Sequence, residues 1–325
     1  MVPDRATSGR DAGRALSIAT TPGGAGPFLK WAGGKRQLLP QLRRFVPASF
    51  GTYHEPFLGS GALFFDLSRA GALQRARLAD TNADLIGCYT AVRRATDDVI
   101  DHLHAFADGH RLAGSEHYYE VRDWFNEEIA SWRASGARID AYPARLGAAF
   151  VYLNRTGFNG LFRMNGRGQF NVPAGRYSNP RICDESTLRA AAYALNMPDV
   201  TLVHAPWDLV LHEACAGDFV YFDPPYAPVS TTARFTSYTA GGFTDADQRW
   251  LQQAAVALAV RGCHVVLSNS TAPLIADLYE RDPAARRAGL RVHRVPARRA
   301  INSNPTRRGD VMEFIVTTVA PRPEG

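Results

Sequence analysis

Apolar residues follow two rhythms along the 325-residue chain. Short apolar runs stop abruptly at a glycine or an acid, as buried strands do, and between them lie stretches with the roughly three-to-four-residue spacing of a helix face. From Phe28 this pattern predicts a glycine turn, a helix near 35–46, a strand running into Glu55-Pro56-Phe57, the turn Gly59-Ser60-Gly61 and an apolar helix. A second strand is expected to end at Asp80, and residues 84 to about 154 read as helices, with an aromatic and Val/Ile stripe from Glu116 to Ala130. Between Asn154 and Tyr177 the texture changes to Asn, Gly, Arg and aromatics, and Asn165-Gly166 between short apolar runs predicts a tight hairpin turn. Strand signals return at 200–204, 219–222, 265–268, 290–295 and 311–319. Thr244 with Asp247 marks the start of a helix running toward Val260. The order is that of an α/β protein, and the Asn- and Gly-rich stretch is the segment expected to read a substrate. Residues 1–26, rich in small and polar types without periodicity, predict a mobile arm.

Composition narrows the setting. An apolar share of 46% can fill a real core. No window approaches the roughly 20 apolar residues of a membrane span, and the start carries Arg5, Arg10 and Arg14 without the apolar run of a secretory signal. No membrane association and a cytoplasmic setting are therefore expected. Cys88, Cys183, Cys215 and Cys263 form no C-x-x-C pair, so neither a zinc site nor a disulfide framework is indicated, and they read as buried thiols.

The net charge of +6 favours a polyanionic partner. Arg281, Arg286, Arg287, Arg291, Arg294, Arg298, Arg299, Arg307 and Arg308 crowd the end of the chain, as a phosphate-tracking surface or a solvated basic face would. Lysine is nearly absent: the only two, Lys30 and Lys35, bracket Trp31-Ala32-Gly33-Gly34. So strong a bias retains lysine where a compact ammonium differs from a planar guanidinium.

The chemistry concentrates at Tyr221-Phe222-Asp223-Pro224-Pro225-Tyr226, where a strand opens onto a carboxylate, two prolines and an aromatic ring. The exocyclic nitrogen of a nucleobase is a poor nucleophile until its hydrogens are held and its lone pair is freed from the ring. Asp223 can accept one such hydrogen bond, the Pro224 carbonyl another, and Tyr226 offers a stacking face. A second signal is Glu55 to Gly61, a glycine turn between strand and helix, with Asp80 about 20 residues beyond it, where doubly wound folds place an acid on a ribose. Phe64 occupies the third glycine position of a dinucleotide fingerprint, so S-adenosylmethionine fits better than NAD. A P-loop fails at Leu29 and Arg36, and Leu58 and Ala62 exclude a nucleophile elbow at Ser60.

In this order, Phe28 to Lys35, Glu55 to Gly61, Asp80 to Ile86, Asp223 to Tyr226 and Leu267-Ser268-Asn269 resemble Dam-type DNA adenine-N6 methyltransferases, over roughly residues 28–319. The resemblance implies a Rossmann-like seven-stranded methyltransferase sheet with an inserted helical and β-hairpin target-recognition domain. The catalytic domain would take residues 27–83 and 197–320, and the insert 84–196. By the same resemblance Trp31, Ala32, Gly33, Lys35, Glu55, Phe57, Gly59, Gly61, Asp80 and Asp223 would hold S-adenosylmethionine. Asp223, Pro224 and Tyr226 would hold a flipped adenine.

Lys30, with Arg163 of the insert, would reach guanine edges, and Leu161 and Pro173 a thymine methyl, which makes GATC the expected target. Asn154, Arg155, Phe158, Asn159 and Tyr177 complete the implied DNA-binding set. Phe158 stands where these enzymes commonly carry tyrosine and could wedge into the stack left by the extruded base. Pro305 departs from the family in the loop before the last strand. The implied partner is double-stranded DNA, with a nucleoid setting, a cognate restriction endonuclease as candidate partner and a monomer as default. RNA or protein amide N-methylation and a catalytically silent DNA-binding protein are the alternatives.

Overall fold

The structure is a computed structural model that describes residues 24–31, 35–229, 242–298 and 310–323. Ala32 and Gly33, most of the expected N-terminal arm, and the loop carrying Arg299, Pro305, Arg307 and Arg308 therefore lie outside the described residues.

Among the described residues seven strands form one sheet: β1 (Thr52–Glu55), β2 (Arg75–Asp80), β3 (Val200–His204), β4 (Phe219–Phe222), β5 (His264–Ser270), β6 (Arg291–Arg298) and β7 (Asp310–Thr317). Their spatial order is β3-β2-β1-β4-β5-β7-β6. The first five strands run parallel, whereas β7 is inserted antiparallel between β5 and β6. The chain winds outward from β1 to β3, returns to β4 and winds the other way, so β1 and β4 flank the crevice where doubly wound folds bind ligands. Because β7 runs backward, its first residues reach that same edge.

The central strand β4 is short and apolar because both faces of the sheet are covered there. All of β4 is buried, with Phe219 and Tyr221 in one core and Val220 and Phe222 in the other. The second core packs against the helix Asp245–Arg261, which opens on a capping box between Thr244 and Asp247 and closes on Gly262 at φ +93°. The helix expected near 35–46 is broken: a 3-10 turn (Lys35–Gln37) precedes α1 (Leu39–Arg43). Pro40 supplies no backbone N–H and is accommodated only in a first turn, so the α-helix restarts there.

Helix α2 (Ala62–Arg69) follows the glycine turn, and α3 (Ala83–Arg94) follows β2, its first turn capped by the Asn82 side chain. Then come α4 (Thr96–Ala113), α5 (Ser115–Ala134), α6 (Ala144–Thr156) and α7 (Glu185–Leu195). α6 is the hub, packed against α3, α4 and α5, and its core joins that of the sheet without a break. Close approach of α3 needs a glycine: a Cβ on Gly147 would stand 2.6 Å from that of Ala91.

One expectation holds and one is corrected. The segment after α6 folds back on itself through the antiparallel bridges Gly157↔Ala174 and Met164↔Phe170, and a tight turn opens at Asn165-Gly166, closed by the Gly168 N–H on the Asn165 carbonyl at 2.9 Å. The Asn165 side chain also accepts from the N–H groups of Arg167 and Gln169, and Gly168 takes the positive φ of +72°. This Asx-type bonding reinforces the turn. The cysteines, however, are not uniformly buried: Cys88 and Cys263 are, Cys183 is partly exposed, and Cys215 is exposed where the turn leading to β4 begins.

Candidate active site

β4 delivers Asp223 at the C-terminal end of the parallel strands, where its carboxylate meets Lys35 and Ser268 and, through Ser268, Tyr221. Lys35 Nζ stands 2.7 Å from Asp223 Oδ1. The Ser268 hydroxyl donates to the same Oδ1 at 2.9 Å, and Ser268 in turn lies 3.1 Å from the Tyr221 hydroxyl. Since Ser268 spends its proton on Asp223, Tyr221 must donate to Ser268. Among the described residues all these contacts fall on Oδ1, which leaves Oδ2 as the oxygen that can accept from a substrate. Burial lifts the Asp223 pKa, opposed by the Lys35 charge and by the Ser268 hydrogen bond.

The residues after Asp223 are held from behind. Gln248 donates to the Pro225 carbonyl at 2.9 Å, Asn269 Oδ1 accepts from the Ala227 N–H at 3.1 Å, and Gln248 and Asn269 join each other at 3.0 Å. Among the described residues none donates to the Pro224 carbonyl, so it stays available beside Oδ2. The Tyr226 ring lies under the Lys35 ammonium, 4.5 Å from its centroid, and its hydroxyl donates to Glu313 Oε2 at 2.8 Å. An ammonium thus sits between a carboxylate and an aromatic face, which is the environment an amino group bound there would meet.

Next to it, β1 ends in the glycine turn. Gly59 and Gly61 have φ of +48° and +61°, and the Leu58 N–H binds the Ala79 carbonyl at 2.9 Å, tying the turn to β2. Asp80 accepts from the N–H groups of Gly59 (3.1 Å) and Asn82 (2.9 Å). Each oxygen keeps a lone pair for a hydroxyl, and burial raises the Asp80 pKa. The Trp31 indole lies against Gly59, with Cδ1 2.9 Å from where a Cβ would be. A ribose-binding acid, a turn without side chains and an indole wall suit a nucleoside-bearing ligand. Phe57 stacks on Trp207, with ring centroids 5.8 Å apart.

Glu55 braces this cradle from beneath. It is only 2% exposed, accepts from the Tyr53 hydroxyl at 2.9 Å and from the backbone N–H of Phe64, and burial pushes its pKa up to about 8. It therefore ties the end of β1 to the start of α2.

The expected reading residues gather around Lys30. Asn154, 1% exposed on α6, accepts from the Lys30 N–H at 2.7 Å and donates to the Lys30 carbonyl at 2.6 Å and to that of Gly160 at 2.9 Å. Lys30 Nζ lies 4.0 Å from the centroid of the Tyr177 ring and 3.1 Å from the Arg155 carbonyl, and burial together with the Arg155 charge lowers its pKa. Arg155 also donates to the Phe28 carbonyl at 3.0 Å.

Phe158 is 48% exposed, Asn159 has a left-handed φ of 54°, and Arg163 is exposed with its Nε on Asn171 Oδ1 at 2.8 Å. Pro173 and Tyr177 are exposed and Leu161 half-buried on the same hairpin. Arg133 on α5 holds this hairpin to the cradle, donating to the Gly168 carbonyl at 3.1 Å and pairing with Asp84.

Of the C-terminal arginines, Arg281 pairs with Asp277, Arg294 pairs with Glu280 at 2.8 Å, and Arg291 caps backbone carbonyls. All three are exposed. Sequence reasoning left Glu313, Gln248 and the Tyr221–Ser268 relay out of the site. Tyr221 and Ser268 carried signals as members of the Tyr221 to Tyr226 and Leu267-Ser268-Asn269 motifs, whereas Glu313 and Gln248 carried none.

The sequence pattern of the D12 class of N6 adenine-specific DNA methyltransferases matches residues 31–301. The chain is 38% identical to the type II methyltransferase M1.LlaDCHI of Lactococcus lactis subsp. cremoris over 90% of its own length and 94% of that protein. It is 38% identical to a DNA adenine methylase of Serratia marcescens (89% and 96% covered) and 36% identical to one of Escherichia coli K12 (89% and 93%). Enzymes of this kind take the methyl group from S-adenosylmethionine, which the Asp80 cradle fits. The protein thus belongs to the D12 class of N6 adenine-specific DNA methyltransferases.

Proposed function

We propose that the enzyme methylates adenine within GATC in duplex DNA, and that it first draws the base out of the helix. The observation that carries this reading is the seat of Lys35. Its ammonium lies 2.7 Å from Asp223 Oδ1 and 4.5 Å above the Tyr226 ring, between the groups an extruded adenine would use. Lys35 has to yield that seat. The base then stacks on Tyr226, with its amino hydrogens on Asp223 Oδ2 and the Pro224 carbonyl. Both bonds draw the nitrogen toward a pyramidal geometry, and the Asp223 charge offsets the positive charge that develops there as the methyl arrives. S-adenosylmethionine supplies an electrophilic methyl. Trp31, Asp80 and the Gly59–Gly61 turn would hold it and orient that methyl toward the base. Extrusion costs a few kcal/mol, which the Tyr226 stack and the two hydrogen bonds offset.

We assign residues 84–196 to target recognition. Lys30, beside Tyr177, and Arg163 supply guanine-reading donors. Leu161 and Pro173 supply apolar contacts, and the exposed Phe158 a wedge. Tritiated methyl transfer to duplexes carrying GATC, GATC with its adenine replaced, and scrambled adenine-containing controls tests the proposal. Incorporation confined to intact GATC is expected. Equal labelling of scrambled duplexes would remove the specificity.

A further inference from the structure

We infer that Glu313 is a positioning residue for the Tyr226 stacking face; this deepens the base-extrusion reading and rests on it. Glu313 is 87 residues from Tyr226 in sequence and reaches it only because β7 runs antiparallel, which sets Glu313 opposite Ser270 at the edge where the parallel strands end. There Glu313 Oε2 accepts the Tyr226 hydroxyl at 2.8 Å. Tyr226 lies outside any helix or strand, so secondary structure does not fix its ring. The backbone beyond it is tied by the Ala227 N–H to Asn269. The hydroxyl bond ties the far end of the ring, and a ring held at both ends presents one fixed plane.

A carboxylate is an unfavourable neighbour for a polyanionic substrate, since it repels phosphate. Its presence at the mouth of the site calls for a specific task, and the task the geometry offers is the bond to Tyr226. Burial together with the charges of Asp223 and Glu313 pushes the Tyr226 pKa well up, so the phenol remains a donor. A freely turning ring would have to be ordered each time a base entered, and that cost would fall on the extruded state alone. Cofactor binding, handled by Asp80 and the glycine turn, would not register it.

The test uses Glu313→Ala, Glu313→Gln, Tyr226→Phe and the double variant Glu313→Ala/Tyr226→Phe in the full chain. We expect Glu313→Ala to lower kcat about ten- to a hundredfold, the range set by loss of a hydrogen bond to a charged group. S-adenosylmethionine affinity by calorimetry and Tm should stay at wild-type values. Glu313→Gln, which keeps an acceptor, should restore most of the rate. Tyr226→Phe should match Glu313→Ala, and the double variant should be no slower than either single one. Additive losses, or a cofactor affinity that falls in step with kcat, would overturn the assignment. A duplex with 2-aminopurine at the target position separates this from the parent reading. If wild type raises its fluorescence and Glu313→Ala does so equally, Glu313 has no positioning role. If even the wild type gives no rise while methylating normal duplex, base extrusion itself falls.

Discussion

Asn154 clasps the peptide of Lys30 from both sides, accepting its N–H at 2.7 Å and donating to its carbonyl at 2.6 Å across 124 residues of sequence. The third arm of the same amide, on the Gly160 carbonyl, links this clasp to the hairpin. We therefore expect Asn154→Ala to loosen target choice much as Lys30→Ala does, although Asn154 itself is buried. Methylation of single-substituted GATC duplexes by both variants checks this. Full discrimination in Asn154→Ala would show that Lys30 needs no clasp.

Removing the Asp223 carboxylate should end catalysis while sparing the fold. Asp223→Ala is expected to lose at least about a thousandfold in turnover, the scale of a site-forming charge in a preorganised pocket. Single-turnover methylation measures it, with circular dichroism as the control. Unchanged turnover would remove Asp223 from the mechanism.

The Ser268 hydroxyl stabilises the ionised form of Asp223. Without it the carboxylate pKa rises further, so a higher pH is needed to keep Asp223 charged. In Ser268→Ala the acid limb of the pH–rate profile should move to higher pH, with a plateau rate closer to wild type. A uniformly lowered profile with its limb in place would contradict this.

Gly59 has a φ of +48° and Trp31 Cδ1 lies 2.9 Å from its missing Cβ. Gly59→Ala combines backbone strain of about 1–2 kcal/mol with a displaced indole, so S-adenosylmethionine should bind about tenfold or more weakly. Calorimetry reads this directly. Wild-type affinity would mean that Trp31 and the turn do not form the cofactor wall.

Glu55 carries a folded-state pKa of about 8 against an ordinary value of 4.5. The native state therefore holds a proton that the unfolded chain has released throughout that window. Stability is fully present below about pH 4.5 and declines as pH rises toward 8, with a limiting slope of about 1.4 kcal/mol per pH unit. Urea midpoints of Glu55→Gln across pH 5–8 should show a flatter dependence than wild type. Parallel curves would place the titration elsewhere.

The site was legible in sequence where its chemistry is contiguous. Asp223-Pro224-Pro225-Tyr226 and the Gly59–Gly61 turn each lie within a few residues and are bounded by apolar strand signals. What escaped is held by long-range pairing. Nothing near Glu313 announces Tyr226, because only the antiparallel placement of β7 joins them. Burial of Glu55 and Asn154, and the partners each one holds, could not be read from their motifs, since only the packed fold brings Tyr53 and Lys30 to them. The hairpin turn at Asn165-Gly166 was legible, whereas the two backbone donors that the Asn165 side chain holds were not.

The backward run of β7 also shapes folding during synthesis. Until translation has passed residue 317, β5 lacks its neighbour and presents an unpaired edge, while Glu313 is not yet beside Tyr226. Residues gathered around the site span the chain from Trp31 to Glu313, so they come together only once nearly all of the described fold has been made. Chains aborted before β7 would be predisposed to edge pairing and aggregation.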